Sequence, residues 1–124
     1  ASSQFAPLYR EGPFTIGLQT RNDQTVKAVE VMNATLNDFI SRGPTEAELL
    51  AAKKNITGGF ALRTDTNNKL LEYVTMIGFY QQPLDYLEVF QGKVEAVTAA
   101  QIQEAFQRRI RPERLQIITV GGGR

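Results

Sequence analysis

Apolar and polar positions change their period along the chain, and each change marks an element. Near the start the period is two. Phe14, Ile16 and Leu18 fall on one face while Thr15, Gly17 and Gln19 fall on the other, as in a half-buried strand. Glu11-Gly12-Pro13 is a breaker that reverses the chain after Ser3–Leu8, so these stretches predict an antiparallel hairpin. From Thr25 the spacing becomes three and four. Val29, Met32, Leu36 and Phe39 then form the buried stripe of a helix, which Gly43-Pro44 ends.

The following helices announce their own starts. Thr45 with Glu48 is a capping box, each side chain placed to satisfy a free backbone N–H, and Leu49, Ala52, Ile56 and Phe60 continue as a stripe. Gly58-Gly59 costs that helix about 2 kcal/mol against two alanines, so a kink, fraying or close packing is expected there. A third helix starts around Thr64–Thr66, carries Leu70, Val74 and Ile77, and ends before Pro83. A fourth is read from Leu87, Phe90, Val94 and Val97. Thr98 with Gln101 is a second capping box, opening a short helix with Ile102 and Phe106 inside, which Pro112 stops. Leu115-Gln116-Ile117-Ile118-Thr119-Val120 reads as a closing strand rich in β-branched residues, and residues 122–124 as a tail.

The order β-β-α-α-α-α-α-β describes an α+β fold with antiparallel strands at both chain ends and about five helices on one face of the sheet. Residues 1–121 are expected to form a single domain. Three strands are few for five helices, and an unpaired sheet edge is a liability that natural domains cover. The chain is therefore expected to be part of a larger α/β domain, with an open edge through which it self-associates.

Composition narrows the chemistry. The 124 residues are 42% apolar and 22% charged, values of an ordinary globular chain rather than a disordered one. Fourteen Lys and Arg against thirteen Asp and Glu leave a net charge of +1, too small for a dedicated nucleic-acid binder or a polybasic membrane anchor. No apolar run approaches the length of a membrane span. The chain has no Cys and no His. Disulfides, thiolate zinc sites, cysteine nucleophiles, imidazole bases and His-bearing metal sites are thereby excluded from this chain.

What remains is modest. Glu46 and Glu48 sit two apart on a helix start, where capping explains them better than paired acid–base work. Lys53-Lys54 offers amines without a sign of a desolvated pocket. Tyr73, Phe79, Tyr80, Tyr86 and Phe90 read as core or interface rather than a base-stacking platform. Arg108, Arg109, Arg111 and Arg114 form the one basic cluster. It fits either a helix C-terminus, where cations offset unsatisfied carbonyls, or contact with an acidic partner.

Taken in order, several stretches carry a family likeness: Gly12-Pro13-Phe14-Thr15-Ile16-Gly17-Leu18-Gln19-Thr20, Thr45-Glu46-Ala47-Glu48-Leu49-Leu50-Ala51-Ala52-Lys53, Gly78-Phe79-Tyr80-Gln81-Gln82-Pro83-Leu84-Asp85-Tyr86, Val97-Thr98 and Leu115–Gly121. From roughly Ser3 to Gly121 the chain resembles the C-terminal part of a domain from the pitrilysin/insulinase-type zinc metallopeptidases, in the bacterial branch close to mitochondrial processing peptidase. The resemblance implies a pair of α/β domains or subunits enclosing a chamber for an unfolded peptide. One of the pair holds zinc through a His-x-x-Glu-His motif and a downstream Glu. The other lacks zinc and often supplies an Arg and a Tyr to the substrate.

This chain matches the non-catalytic member. The zinc motif is absent because His is absent, and Tyr9-Arg10 has the wrong spacing and position for the Arg/Tyr pair, so no catalytic, cofactor-binding or metal residue is carried over. The resemblance implies zinc only in the catalytic domain, a zinc-bearing domain or subunit as partner, peptide substrate met through the whole protein, and a bacterial, periplasmic setting. The alternative from another class is a stand-alone interaction domain docking through Arg108–Arg114 or the open edge of the Phe14–Gln19 strand. A nucleic-acid-binding α+β domain ranks after it.

Overall fold

A computed structural model describes residues 1–60 and 64–121. Its elements are strands β1 (Ser2–Phe5) and β2 (Phe14–Gly17) and helices α1 (Thr25–Arg42), α2 (Glu46–Gly58), α3 (Asn67–Phe79), α4 (Tyr86–Ala96) and α5 (Ala99–Arg109). The α+β class and the five helices agree with the sequence reading. The chain falls into two compact units, one of Ala1–Gly43 with the segment from Gln103 onward, the other of Pro44–Ile102.

In the first unit the hairpin forms as its pattern predicts. β1 and β2 pair antiparallel, with Ser2 opposite Gly17 and Phe5 opposite Phe14. Phe14, Ile16 and Leu18 are half-buried while Thr15, Gly17 and Gln19 are exposed. Ala6 donates its N–H to the Pro13 carbonyl at 3.0 Å, closing the loop between the strands. Gly12 is required in that loop, because a Cβ there would fall on the Ala6 carbonyl oxygen.

Helix α1 ends at Gly43, whose φ of 70° lies in the left-handed region that favours glycine. Two of its last carbonyls, which have no partner inside the helix, are met from α5. Gln103 Nε2 donates to the Ser41 carbonyl at 2.5 Å and Gln107 Nε2 to the Ile40 carbonyl at 3.2 Å. Phe106 sits between these glutamines in the sequence and gathers the apolar side. Its ring centroid lies 4.8 Å from Phe39, 5.6 Å from Phe5 and 5.9 Å from Phe14, each in an edge-to-face arrangement. Leu36 and Ile110 are buried in the same unit.

The second unit is helical. The Thr45 capping box forms fully: the Glu48 N–H donates to Thr45 Oγ1 at 3.2 Å, and the Thr45 N–H donates to Glu48 Oε2 at 2.8 Å. Thr98 and Gln101 repeat the arrangement at the start of α5, with bonds of 2.9 and 3.2 Å. Thr66 caps α3 by accepting from the Lys69 N–H. The Gly58-Gly59 pair ends α2 rather than kinking it, and a Cβ on Gly58 would meet nothing within 4 Å, so no close packing holds it. Phe60 therefore lies beyond the helix, yet it is buried. Its ring stacks on Phe90 at 5.0 Å and meets Tyr73 at 6.4 Å, while Tyr86 leans on Phe90 at 5.8 Å.

Three features depart from the sequence reading. On α3 the half-buried residues are Lys69, Tyr73, Met76 and, just past its end, Tyr80, around the buried Ile77; Leu70 is exposed and Val74 is 62% exposed. The helix is apolar almost all round, so periodicity alone cannot choose a face, and packing of Tyr73 on Phe60 selects it. On α2 Ala52 is exposed and Lys53 is half-buried instead, its alkyl stem covering apolar surface while its ammonium reaches a carbonyl.

The third departure is the closing strand. Leu115 still belongs to a turn, donating to the Pro112 carbonyl at 3.2 Å, and residues 116–121 form no strand. Ile117, Ile118 and Val120 are 52%, 86% and 92% exposed. β-Propensity needs a neighbouring strand and an apolar face to act on, and among the described residues this segment has neither. Among the described residues strands accordingly occur at the N-terminal end only. The expected tail, residues 122–124, lies outside the described residues.

Candidate functional site

An open concavity belongs to the first unit. Phe14, Ile16 and Leu18 project from β2 and the residue beyond it, because the two-residue period puts all three on one face. Helix α1 supplies the opposite wall through Ala28, Val31, Met32, Leu36 and Phe39, and Phe106 of α5 closes one side. The space between measures about 760 Å3. Ser2, Ser3, Gln19, Thr20, Gln24 and Lys27 contribute the polar part of its lining. Lys27 Nζ lies 3.5 Å from Glu30, so the cation in this lining is offset by a carboxylate on its own helix.

Such a lining suits an apolar occupant and contains no carboxylate, imidazole or thiol. β2 adds a second property. The sheet has two strands among the described residues, so each strand keeps one edge with unpaired backbone groups. The alternation at Phe14, Ile16 and Leu18 showed one wall in advance. Val31 on the other wall escaped the helical stripe of Val29, Met32, Leu36 and Phe39. Ala28, Val31 and Thr35, spaced three and four apart beside that stripe, were the available sign.

The arginine cluster lies apart from this lining. Arg108 Nε donates to Glu104 Oε1 at 2.8 Å, one helical turn back. Arg109 Nη1 lies 3.4 Å from Glu11 Oε1, tying α5 to the hairpin loop. Arg111 Nη1 donates to the Gln107 carbonyl at 3.3 Å, one of the last carbonyls of α5. Arg114 stands in a short 3-10 turn, Pro112–Arg114, where its backbone N–H donates to the Arg111 carbonyl at 2.9 Å. The four arginines are thus brought close in sequence and fold, with three of the guanidinium groups engaged inside the chain.

Other singled-out residues serve the architecture. Glu48 is committed to its capping box. Lys53 Nζ donates to the Glu95 carbonyl at 2.6 Å, placing a cation against the C-terminal end of α4. On α1 the hydrogen bond from the Arg42 guanidinium lowers the Asp38 carboxyl below its usual value, outweighing the opposing effect of desolvation, and the guanidinium charge adds to the lowering. Among the described residues no group of three or more metal-ligating side chains comes together. No helix of the described residues is long and apolar enough to cross a membrane.

Comparison with known proteins gives this geometry a context. Residues 1–56 match the family model described as the peptidase M16 inactive domain. The chain is also similar to the crystal structure of a peptidase M16 inactive domain from Pseudomonas fluorescens, with a TM-score of 0.82 and 29% identity. That similarity covers 90% of this chain and 26% of the solved one, so the chain spans about a quarter of the length of the structure it matches. No curated protein matches it. The sequence match takes in the hairpin, α1 and most of α2, the structural match nearly the whole chain, and in both the chain is similar to inactive domains of the M16 peptidases.

Proposed function

We propose that this chain is a non-catalytic segment of a zinc-metallopeptidase-family protein, helping to form the sheet of one domain and the wall of a peptide-enclosing chamber. The observation that carries the reading is the hairpin with open edges over an apolar concavity, found in a chain similar to an M16 inactive domain. An edge strand with unpaired N–H and C=O groups is what a sheet presents where further strands add, and Ile117, Ile118 and Val120 of the same unit are exposed as well. Peptide proteolysis is then the work of the whole protein, with zinc held by a catalytic domain or subunit that faces this one.

The residues support a wall rather than a reaction centre. Without His or Cys the chain lacks the imidazole and thiolate ligands that catalytic zinc sites usually combine with a carboxylate. The stand-alone interaction domain is not favoured, since the comparisons describe an inactive peptidase domain and three of the four arginines are engaged internally.

Peptide cleavage measured with the purified chain, alone and together with a zinc-bearing M16 domain from the same protein, tests the proposal. The chain alone is expected to cleave nothing, with or without added zinc, and to raise turnover by the zinc-bearing domain when present. Chelator-sensitive cleavage by the chain alone would overturn the non-catalytic reading. Turnover and peptide affinity unchanged by its addition would overturn the chamber role.

A further inference from the structure

We draw no further inference here: the strongest candidate outside the site already described, the exposed apolar side of α3 formed by Leu71, Val74 and Phe79 with Leu84 in the turn after it, carries nothing because nothing in the structure shows what covers it.

Discussion

The two units solve the same problem with different success. In the second, helices satisfy their own backbone hydrogen bonds, so an aromatic cluster and a few caps are enough to make local structure. Phe60 fills the space between Tyr73 and Phe90, and Lys53 meets the end of α4. In the first, part of the backbone is in a sheet, and a strand meets its backbone hydrogen bonds only through a neighbouring strand. The hairpin provides one ladder and, among the described residues, leaves both outer edges unmatched, while Ile118 and Val120 stand almost fully in solvent. The contrast teaches that a helical unit can be assembled from short-range information. A strand instead takes its hydrogen-bond partner from another stretch of chain, as β1 and β2 do.

Breaking the better-packed unit should produce the largest effect. Phe60→Ala removes the ring at the centre of the second unit's aromatic cluster and is expected to cost about 3–5 kcal/mol, comparable with much of the stability of a small domain. Denaturant unfolding followed by circular dichroism measures it. A loss below about 1 kcal/mol would mean that the cluster is not the organising contact of the unit.

The hairpin offers the next test. Gly12→Ala drives a methyl group onto the Ala6 carbonyl and should cost about 1–3 kcal/mol of local stability, because the loop must open to relieve the overlap. Hydrogen exchange at the Ala6 amide reads it directly, since that N–H is bonded to the Pro13 carbonyl. Exchange should accelerate there while α2 and α4 amides keep their protection. Unchanged exchange at Ala6 would show that the loop absorbs the methyl group without opening.

A smaller change should go in the stabilising direction. Helix α3 ends in a Schellman motif: the Gln82 N–H donates to the Ile77 carbonyl at 2.9 Å and the Gln81 N–H to the Gly78 carbonyl at 3.3 Å. The left-handed position of that motif is held by Gln81, with φ of 51°, where glycine would carry no Cβ penalty. Gln81→Gly is expected to raise stability by about 1 kcal/mol, seen as a higher denaturation midpoint. A fall in the midpoint would show that the side chain makes a contact worth more than the strain.

The smallest effect is electrostatic and lies on α1. Because the folded carboxyl of Asp38 titrates below its usual value, its pairing with Arg42 contributes stability above the ordinary carboxylate range. That contribution disappears as pH falls through the lowered folded value. Both side chains are largely exposed, so the change in stability is slight and the titration itself is the better readout. Carboxyl chemical shifts should place Asp38 below the usual range in the native chain and back within it in Arg42→Gln. An identical titration in the two proteins would remove the pair from the account of α1.

How much of this was legible beforehand depends on the range of the interaction. Both capping boxes, the Gly43 stop and the alternation of β2 were readable, because each is decided within a few residues by groups that the backbone itself presents. The face of α3 was not, since Leu70, Leu71, Val74 and Ile77 are equally apolar and the choice fell to an aromatic contact with Phe60, beyond the end of a different helix. Lys53 was hidden for a related reason. Its partner is the Glu95 carbonyl, forty-two residues away, and a main-chain carbonyl has no sequence signature. The concavity was half legible, with the β2 wall evident and Val31 of α1 overlooked.

The sequence by itself determined the N-terminal hairpin, the five helices and their capping boxes, the absence of His and Cys chemistry and the family likeness, all of which rest on residue identity and short-range spacing. Only the tertiary structure decided which side of α3 is buried, where the guanidinium groups of Arg108, Arg109 and Arg111 are engaged, and that Leu115–Val120 forms no strand. These outcomes turn on partners distant in sequence or, for a strand, on whether a neighbour is present at all. A helix carries its hydrogen-bond partners within itself, whereas a β-branched segment becomes a strand only beside another strand.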